Sequence, residues 1–482
     1  MTPLMHAHLV HHARAVMALL SFLLLAGCAS FSSDGGLTVV NEITQPALGQ
    51  SAGTLRTPED AEAVRGRVKV LLRQPLSAGR AVQVALLNNR DLQAAYNALG
   101  LSEAAFVQAT LPPNPTFSLS RIAGSGGAFE FEARVVGSLL ALATLPARAE
   151  IAADRFRQAQ LQAALETLRT ANEARRAFYR AVAARSLASF LAQARETGET
   201  AAELSKRLGE TGAINKLDQA RNQVFYAELV AQLATARLRA SSERERLVRA
   251  LGLWGDDLDF SLPAQLPPLP SRVRSLESVE VEAVRRRIDL QIARIETGLL
   301  AKSYGLTSAT RFINLLDVAG VSKKLRETDN TIRESGFDVE LQIPLFDFGE
   351  VKVRQAEESY LQAVNRLTAK AVNVRSEARE AYQGYRASFD IARHYRREVL
   401  PLRKLISDET LLRYNAMQID VFSLLVEARQ RISSTTAAIE AERDFWLAES
   451  TLGSALLSGS SGPASSEAMS STAAAPESAG GH

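Results

Sequence analysis

Apolar residues recur at Leu217, Ala220, Val224, Ala227, Ala231, Ala234 and Leu238, in steps that alternate three and four. That is the seam period of a coiled coil. The seam is built on Ala rather than Leu, so helix backbones can approach closely and one face stays free for other neighbours. The same period holds at Val353, Ala356, Tyr360, Ala363 and Leu367, and again at Ala438, Ala441, Phe445, Ala448 and Leu452. Four long helices are therefore predicted: Pro146 to Leu208, a partner running from Leu217 past Leu238, Phe348 to Leu412, and Ile419 to Leu457. The first is roughly 90 Å long at 1.5 Å per residue, too long for a compact enzyme domain. Gly209 to Gly212 breaks the first pair, and Pro401 marks a bend in the third helix. Period-two stretches predict strands over Thr116 to Arg121, Phe129 to Val136, Thr310 to Val318 and Phe337 to Leu345, with a charged loop from Lys323 to Glu334. Shorter helices precede each strand pair, over Ser77 to Leu111 and Glu277 to Ala301. Ser30 to Leu76 reads as an extended arm with one short helix over Pro58 to Val70.

The pattern repeats. Asn89-Arg90-Asp91-Leu92-Gln93-Ala94-Ala95 returns as Arg287-Ile288-Asp289-Leu290-Gln291-Ile292-Ala293, and each copy leads into a hairpin and two long helices. The expected organisation is an N-terminal segment 1–27, an arm 28–76, a first repeat 77–253, a Pro-rich connector 254–276, a second repeat 277–457 and a disordered tail 458–482. The fold class is mainly α with a small β part.

Charge and composition narrow the function. The formal net charge of the 482 residues is only +3, with both signs mixed along the helices, so a nucleic-acid-binding stripe is excluded. The single cysteine, Cys28, follows a short apolar run from Ala15 to Ala26, the layout of a secretory signal. Leu25-Ala26-Gly27-Cys28 resembles a bacterial lipobox, which makes Cys28 the expected lipidated N-terminus, with Ala29 compatible with outer-membrane sorting. Four of six histidines (His6, His8, His11 and His12) lie before that cysteine, leaving His394 and His482. No catalytic or metal-ligating arrangement is evident, and no cofactor is expected. The Ala123-to-Gly127 run reads as a hairpin turn, without the Lys-Ser/Thr of a phosphate loop.

Four strands of membrane-crossing length present a physical problem. An open sheet in lipid leaves edge N–H and C=O groups unpaired, and about eight strands are needed to close around a lumen. Several chains must then contribute to one barrel; the alternative is a soluble hairpin decorating a periplasmic coil.

From Ser77 to Leu457 the chain resembles the TolC-like outer-membrane efflux proteins, in the lipoprotein branch that serves resistance-nodulation-division exporters. The matching segments are Ala85-Leu86-Leu87-Asn88-Asn89-Arg90-Asp91-Leu92, Leu111-Pro112-Pro113-Asn114-Pro115 and Ile343-Pro344-Leu345-Phe346-Asp347-Phe348-Gly349. Arg413-Tyr414 and Gly212-Ala213-Ile214 at the two helix breaks complete the set. The resemblance implies a homotrimer with a 12-stranded barrel and a helical tunnel, partnered by a periplasmic adaptor and an inner-membrane pump. It also implies a gate at the tips, Gly209 to Leu217 and Tyr414 to Phe422. Candidate gate residues are Arg413, Tyr414, Asp420, Phe422 and Glu427 on one tip, and Lys206, Arg207, Leu217 and Asp218 on the other. The family's tip glycine is Met417 here, and the position of its acidic ring is Val426, so Asp420 or Glu427 would have to supply a ring. The alternative for both acids is a solvated helix face. Two other functions stay open: a coiled-coil spacer without a pore, and a type I protein-secretion duct.

Overall fold

A computed structural model describes residues 30–125, 128–275, 277–326 and 330–459. The lipidation site expected at Cys28, the signal segment and the tail from residue 460 lie outside the described residues. The helices are α1 (Leu37–Leu48), α2 (Pro58–Leu72), α3 (Ala78–Asn88) and α4 (Arg90–Thr110), followed by strands β1 (Thr116–Ala123) and β2 (Phe129–Ser138). Then come α5 (Leu139–Ala143), α6 (Leu145–Glu210), α7 (Lys216–Leu251), α8 (Val279–Arg286) and α9 (Ile288–Ala309). Strands β3 (Leu315–Arg326) and β4 (Thr331–Gln342) lead to α10 (Glu350–His394), α11 (Leu400–Asn415) and α12 (Val421–Leu457). The expected class, mainly helical with a small β part, is what forms.

Several boundaries differ from the sequence reading, each for a local reason. The arm is largely helical rather than extended: α1 forms, and α2 starts on a capping box in which Thr57 and Asp60 satisfy each other's backbone N–H groups. Lys323 to Arg326 and Thr331 to Glu334, expected in a charged loop, are the ends of two paired strands, with Lys323 opposite Glu334. β3 correspondingly starts at Leu315 rather than Thr310, and β4 ends at Gln342 rather than Leu345. The helix expected from Phe348 to Leu412 is interrupted by one wide turn, Tyr395–Val399, where the Leu400 N–H reaches back to the Tyr395 carbonyl. Pro401 follows immediately; its ring and missing N–H make the regular ladder unfavourable there, and the wide turn absorbs the misfit.

The two short helices that precede the hairpins are each split. Asn89 and Arg287, equivalent in the repeat, both adopt φ −68°, ψ 119° and end one helix while the next begins. The recurring motif thus encodes a corner. At the first corner Asn89 Oδ1 accepts the Leu92 N–H, and Asn88 Nδ2 donates to the Gly252 carbonyl at 2.6 Å. Gly252 ends α7 at φ +67°, and a Cβ there would sit 2.9 Å from the Asn88 carbonyl oxygen. At the second corner the residue is Arg287, only 3% exposed. It pairs with Asp289 at 2.9 Å and with Glu377, while Lys370 reaches Asp289 at 3.7 Å.

The chain divides into two compact units. One holds residues 30–38, Asn97–Gln160 and Ile292–Leu367 and contains the sheet; the other holds Val39–Tyr96, Leu161–Gln291 and residues 368–459. The sheet is antiparallel in the order β1-β2-β3-β4, with β1 and β4 at its edges. In the helical unit, Ala174, Ala177 and Ala181 are buried with Phe178, Leu247 and Leu251 in one cluster, and Tyr385, Phe389 and Phe445 form another. Tyr179 stacks on Trp446 at 5.2 Å, and the Trp446 indole N–H donates to the Pro267 carbonyl of the Pro-rich connector.

Arg287→Ala should destabilise the fold by about 3–5 kcal/mol, because Asp289 and Glu377 lose the cation between them. Chemical denaturation of the purified protein checks this, and a change under about 1 kcal/mol would show the corner is held by packing alone.

Candidate functional site

Two regions carry the functional geometry, and the sheet is the first. Its pleat sorts the residues onto two faces. Phe117, Leu119, Phe129, Phe131, Ala133, Val135, Leu316, Val318, Phe337, Val339 and Leu341 fall on one face by the strand register. These include some of the most exposed apolar side chains, Phe337 at 78% among them. The other face carries Glu130, Glu132, Arg134, Asp317, Lys323, Glu334, Asp338 and Glu340. There Lys323 pairs with Glu132 at 3.3 Å and Arg134 with Asp338 at 3.7 Å. An exposed apolar face backed by a charged one is the inverse of a soluble sheet. Below β4, Phe348 is held at φ +46° and Gly349 at φ +74°, where a Cβ would meet the Arg311 carbonyl oxygen at 2.2 Å. That tight turn leaves Phe346 fully exposed.

The second region is the pair of helix breaks, which share one construction. α6 ends with the Ala213 N–H donating to the Leu208 carbonyl and the Gly212 N–H to Gly209. α11 ends with the Gln418 N–H donating to Arg413 and the Met417 N–H to Tyr414. Both are Schellman motifs with a left-handed residue, Gly212 at φ +75° and Met417 at φ +57°. Three residues further on, Asn215 and Asp420 cap the next helix through the Asp218 and Ser423 N–H groups. Ser423 donates with both hydroxyl and backbone to Asp420, which holds that carboxyl below its ordinary pKa.

Between α7 and α12 run cross-links at a constant offset. Arg221 lies 4.5 Å from the centre of the Phe422 ring. Arg429 pairs with Glu228 at 2.9 Å and Arg239 with Glu440 at 3.3 Å. The helices are thus parallel and in register.

No family model matches the sequence, and none of the curated proteins does. Solved structures do match. CusC, which undergoes conformational changes on transmembrane channel formation, is 15% identical with a TM-score of 0.65, over 82% of this chain and 92% of its own. The outer-membrane protein VceC of Vibrio cholerae is 13% identical with a TM-score of 0.65, over 79% and 96%. The CmeC outer-membrane channel of Campylobacter jejuni is 14% identical with a TM-score of 0.65, over 87% and 92%. The chain has the fold of these outer-membrane channels.

Within the channel fold the expected tip residues separate into three groups. Leu217 and Phe422 occupy equivalent positions after the two caps and are both exposed, at 59% and 44%. Asp218 and Asp420 serve the caps, and Asp218 also pairs with Arg221 at 3.2 Å. Arg207 and Arg413 pair within their own helices, with Glu203 at 3.1 Å and Glu409 at 2.9 Å. Lys206 is exposed and Tyr414 half-buried. Glu427 fits neither a ring nor a solvated face: it is 7% exposed, and Arg403 pairs with it at 3.3 Å. It lines an open cleft of about 430 Å³ with Phe190, Phe225, Leu411 and Leu425. Sequence reading missed Arg221, Arg403 and Arg429. Their signal is faint: constant rung spacing singles out only Arg221 and Arg429, and nothing local marks Arg403.

A methionine in the left-handed region is strained by about 1 kcal/mol relative to glycine. Met417→Gly should relieve it and stabilise the second turn by about that amount. Hydrogen exchange at Ala416 to Gln418 should slow accordingly; faster exchange would show that the Met417 side chain holds the turn.

Proposed function

We propose that this chain is one protomer of an outer-membrane efflux channel. Three copies close a 12-stranded barrel, continue it as a helical tunnel, and conduct small cargo passively from a periplasmic adaptor and inner-membrane pump to the exterior. The observation that carries the proposal is the sheet, apolar and bare on one face and unpaired along both β1 and β4. In lipid those edges demand partners, and β4 of one copy can pair with β1 of the next. Three four-stranded sheets make a barrel of ordinary size with the charged face toward water. The likeness to CmeC and VceC supports the reading. No helix among the described residues is long and apolar enough to cross a membrane.

The tips form the gate in this proposal. Leu217 and Phe422 from three chains would constrict the tunnel, and the rungs between α7 and α12 hold each protomer's tips together. Exposed ion pairs contribute about 0.2–1 kcal/mol each, so one rung sets the opening equilibrium only modestly. In planar bilayers the trimer should conduct, with infrequent openings. Arg429→Glu should raise opening frequency up to about fivefold, and the swap Glu228→Arg with Arg429→Glu should restore it. Native mass spectrometry should show three chains in every variant. A conducting monomer, or a trimer with no conductance under any condition, would overturn the channel.

Cys28 would carry the lipid anchor, on the strength of Leu25-Ala26-Gly27-Cys28. Metabolic labelling with a fatty-acid analogue should mark the wild type and not Cys28→Ser. The unlipidated variant should still insert, because the barrel supplies its own apolar belt; labelling that persists would refute the anchor.

A further inference from the structure

Toward the hairpin turns, the apolar face of the sheet ends in cations. Arg121, Phe131, Lys324 and Arg333 stand side by side across β1 to β4, and Phe129 and Arg326 share the next row. All six lie on the face of Phe117, Val135 and Val339, since the pleat alternates strictly along each strand. Lys324 and Arg333 are directly opposed, a pairing of like charges that weakens a sheet unless an anion lies against it. Arg121 sits 5.1 Å from the centre of the Phe129 ring. Among the described residues none of these four cations has a carboxylate partner, whereas Lys323 and Arg134 on the other face are both paired.

The height of the row fits a membrane boundary. From Arg333 to Ile343 the chain advances ten residues, and exposed Leu345, Phe346 and Phe348 follow. At about 3.3 Å per residue and a tilt of about 40°, that interval is about 25 Å, the height of a barrel's apolar band. The cations therefore stand at headgroup level in one leaflet. If the chain is the channel proposed above, on which this inference rests, the helices leave from the opposite ends of the strands, so the hairpin turns and their cations face the outer leaflet.

The geometry points to a binding row for the phosphates of lipid A, the bis-phosphorylated glycolipid of that leaflet. Arginine presents a planar fork that holds phosphate through two N–H groups. The row spans four strands, about 14 Å at 4.8 Å per strand, wide enough for two phosphates carried on one headgroup. A phosphodiester lipid would meet only part of it. The acyl chains would lie against Phe117, Phe337 and Val339.

The test is native mass spectrometry of the full-length trimer in detergent, titrated with bis-phosphorylated lipid A, with its dephosphorylated form, and with phosphatidylglycerol. The wild type should favour bis-phosphorylated lipid A by about tenfold over either competitor. The triple variant R121Q/K324Q/R333Q should lose that preference while trimer mass and conductance stay unchanged. Should the triple variant not assemble, R121Q and R333Q singly should each weaken binding by about threefold. Equal binding by the variants, or equal binding of phosphatidylglycerol by the wild type, overturns the inference. A conducting trimer without lipid A preference refutes this row alone; a chain that neither inserts nor conducts refutes the channel beneath it.

Discussion

A β-strand edge in hydrocarbon leaves a line of N–H and C=O groups with nothing to bond, at several kcal/mol each. In water the same edge is merely a hazard; in lipid it forbids the structure. The sheet described here has two such edges, β1 and β4, and an exposed apolar face that disfavours water. Neither feature is tolerable alone, and each removes the problem of the other. In the proposed channel, lipid would cover the apolar face and copies of the chain would cover the edges. On that proposal the four-stranded sheet calls for an assembly, because a single copy would leave both of its edges bare in lipid.

The duplicated helical part obeys a different constraint, that of reversing and bending long helices without orphaned backbone groups. It is solved twice with the same parts. Each corner places one residue at φ −68°, ψ 119°, and each tip closes with a Schellman turn followed by a side-chain cap. The side chains diverged while the backbone did not. Asn89 caps its corner through its own amide, whereas Arg287 buries a guanidinium against Asp289 and Glu377. Gly212 takes the left-handed position freely, whereas Met417 takes it under strain. If the tips gate the proposed channel, the strained turn at Met417 is the one that yields first when the helices part.

Much of the backbone was legible in the sequence because period and punctuation are local. Ala-rich seams at three-four spacing located the long helices, and Gly209 to Gly212 and Pro401 located a break and a distortion. Where reading failed, long-range pairing decided. Lys323 to Glu334 looks like a polar loop until Lys323 is set opposite Glu334 and beside Glu132. The corners at Asn89 and Arg287 were visible as a repeat, but not as breaks, since neither residue is a helix breaker and the reason lies in what α7 and the Asp289–Glu377 pair contribute from far along the chain. The tip residues were harder. Charge and position nominated Arg413 and Glu427, yet Arg413 turns to Glu409 on its own helix and Glu427 is drawn inward by Arg403. Which way a charged side chain on a helix points depends on a neighbour hundreds of positions away in the case of Glu228 and Arg429, and no local pattern records it.

The placement of Glu427 has a consequence for charge selection. Of the two acids expected to supply a ring, Asp420 caps its own helix and Glu427 is buried against Arg403. The polar face of the sheet, in contrast, sets six carboxylates (Glu130, Glu132, Asp317, Glu334, Asp338 and Glu340) against Arg134 and Lys323. In the proposed barrel three such faces would surround one aqueous column, where low-dielectric walls focus the field of like charges on whatever passes. A sieve of that kind is long rather than thin. It favours cations by many weak interactions instead of one strong site, so it neither traps a multivalent ion nor depends on a single residue. In the proposed channel, the tips would decide whether cargo enters, and the sheet would bias which charge leaves.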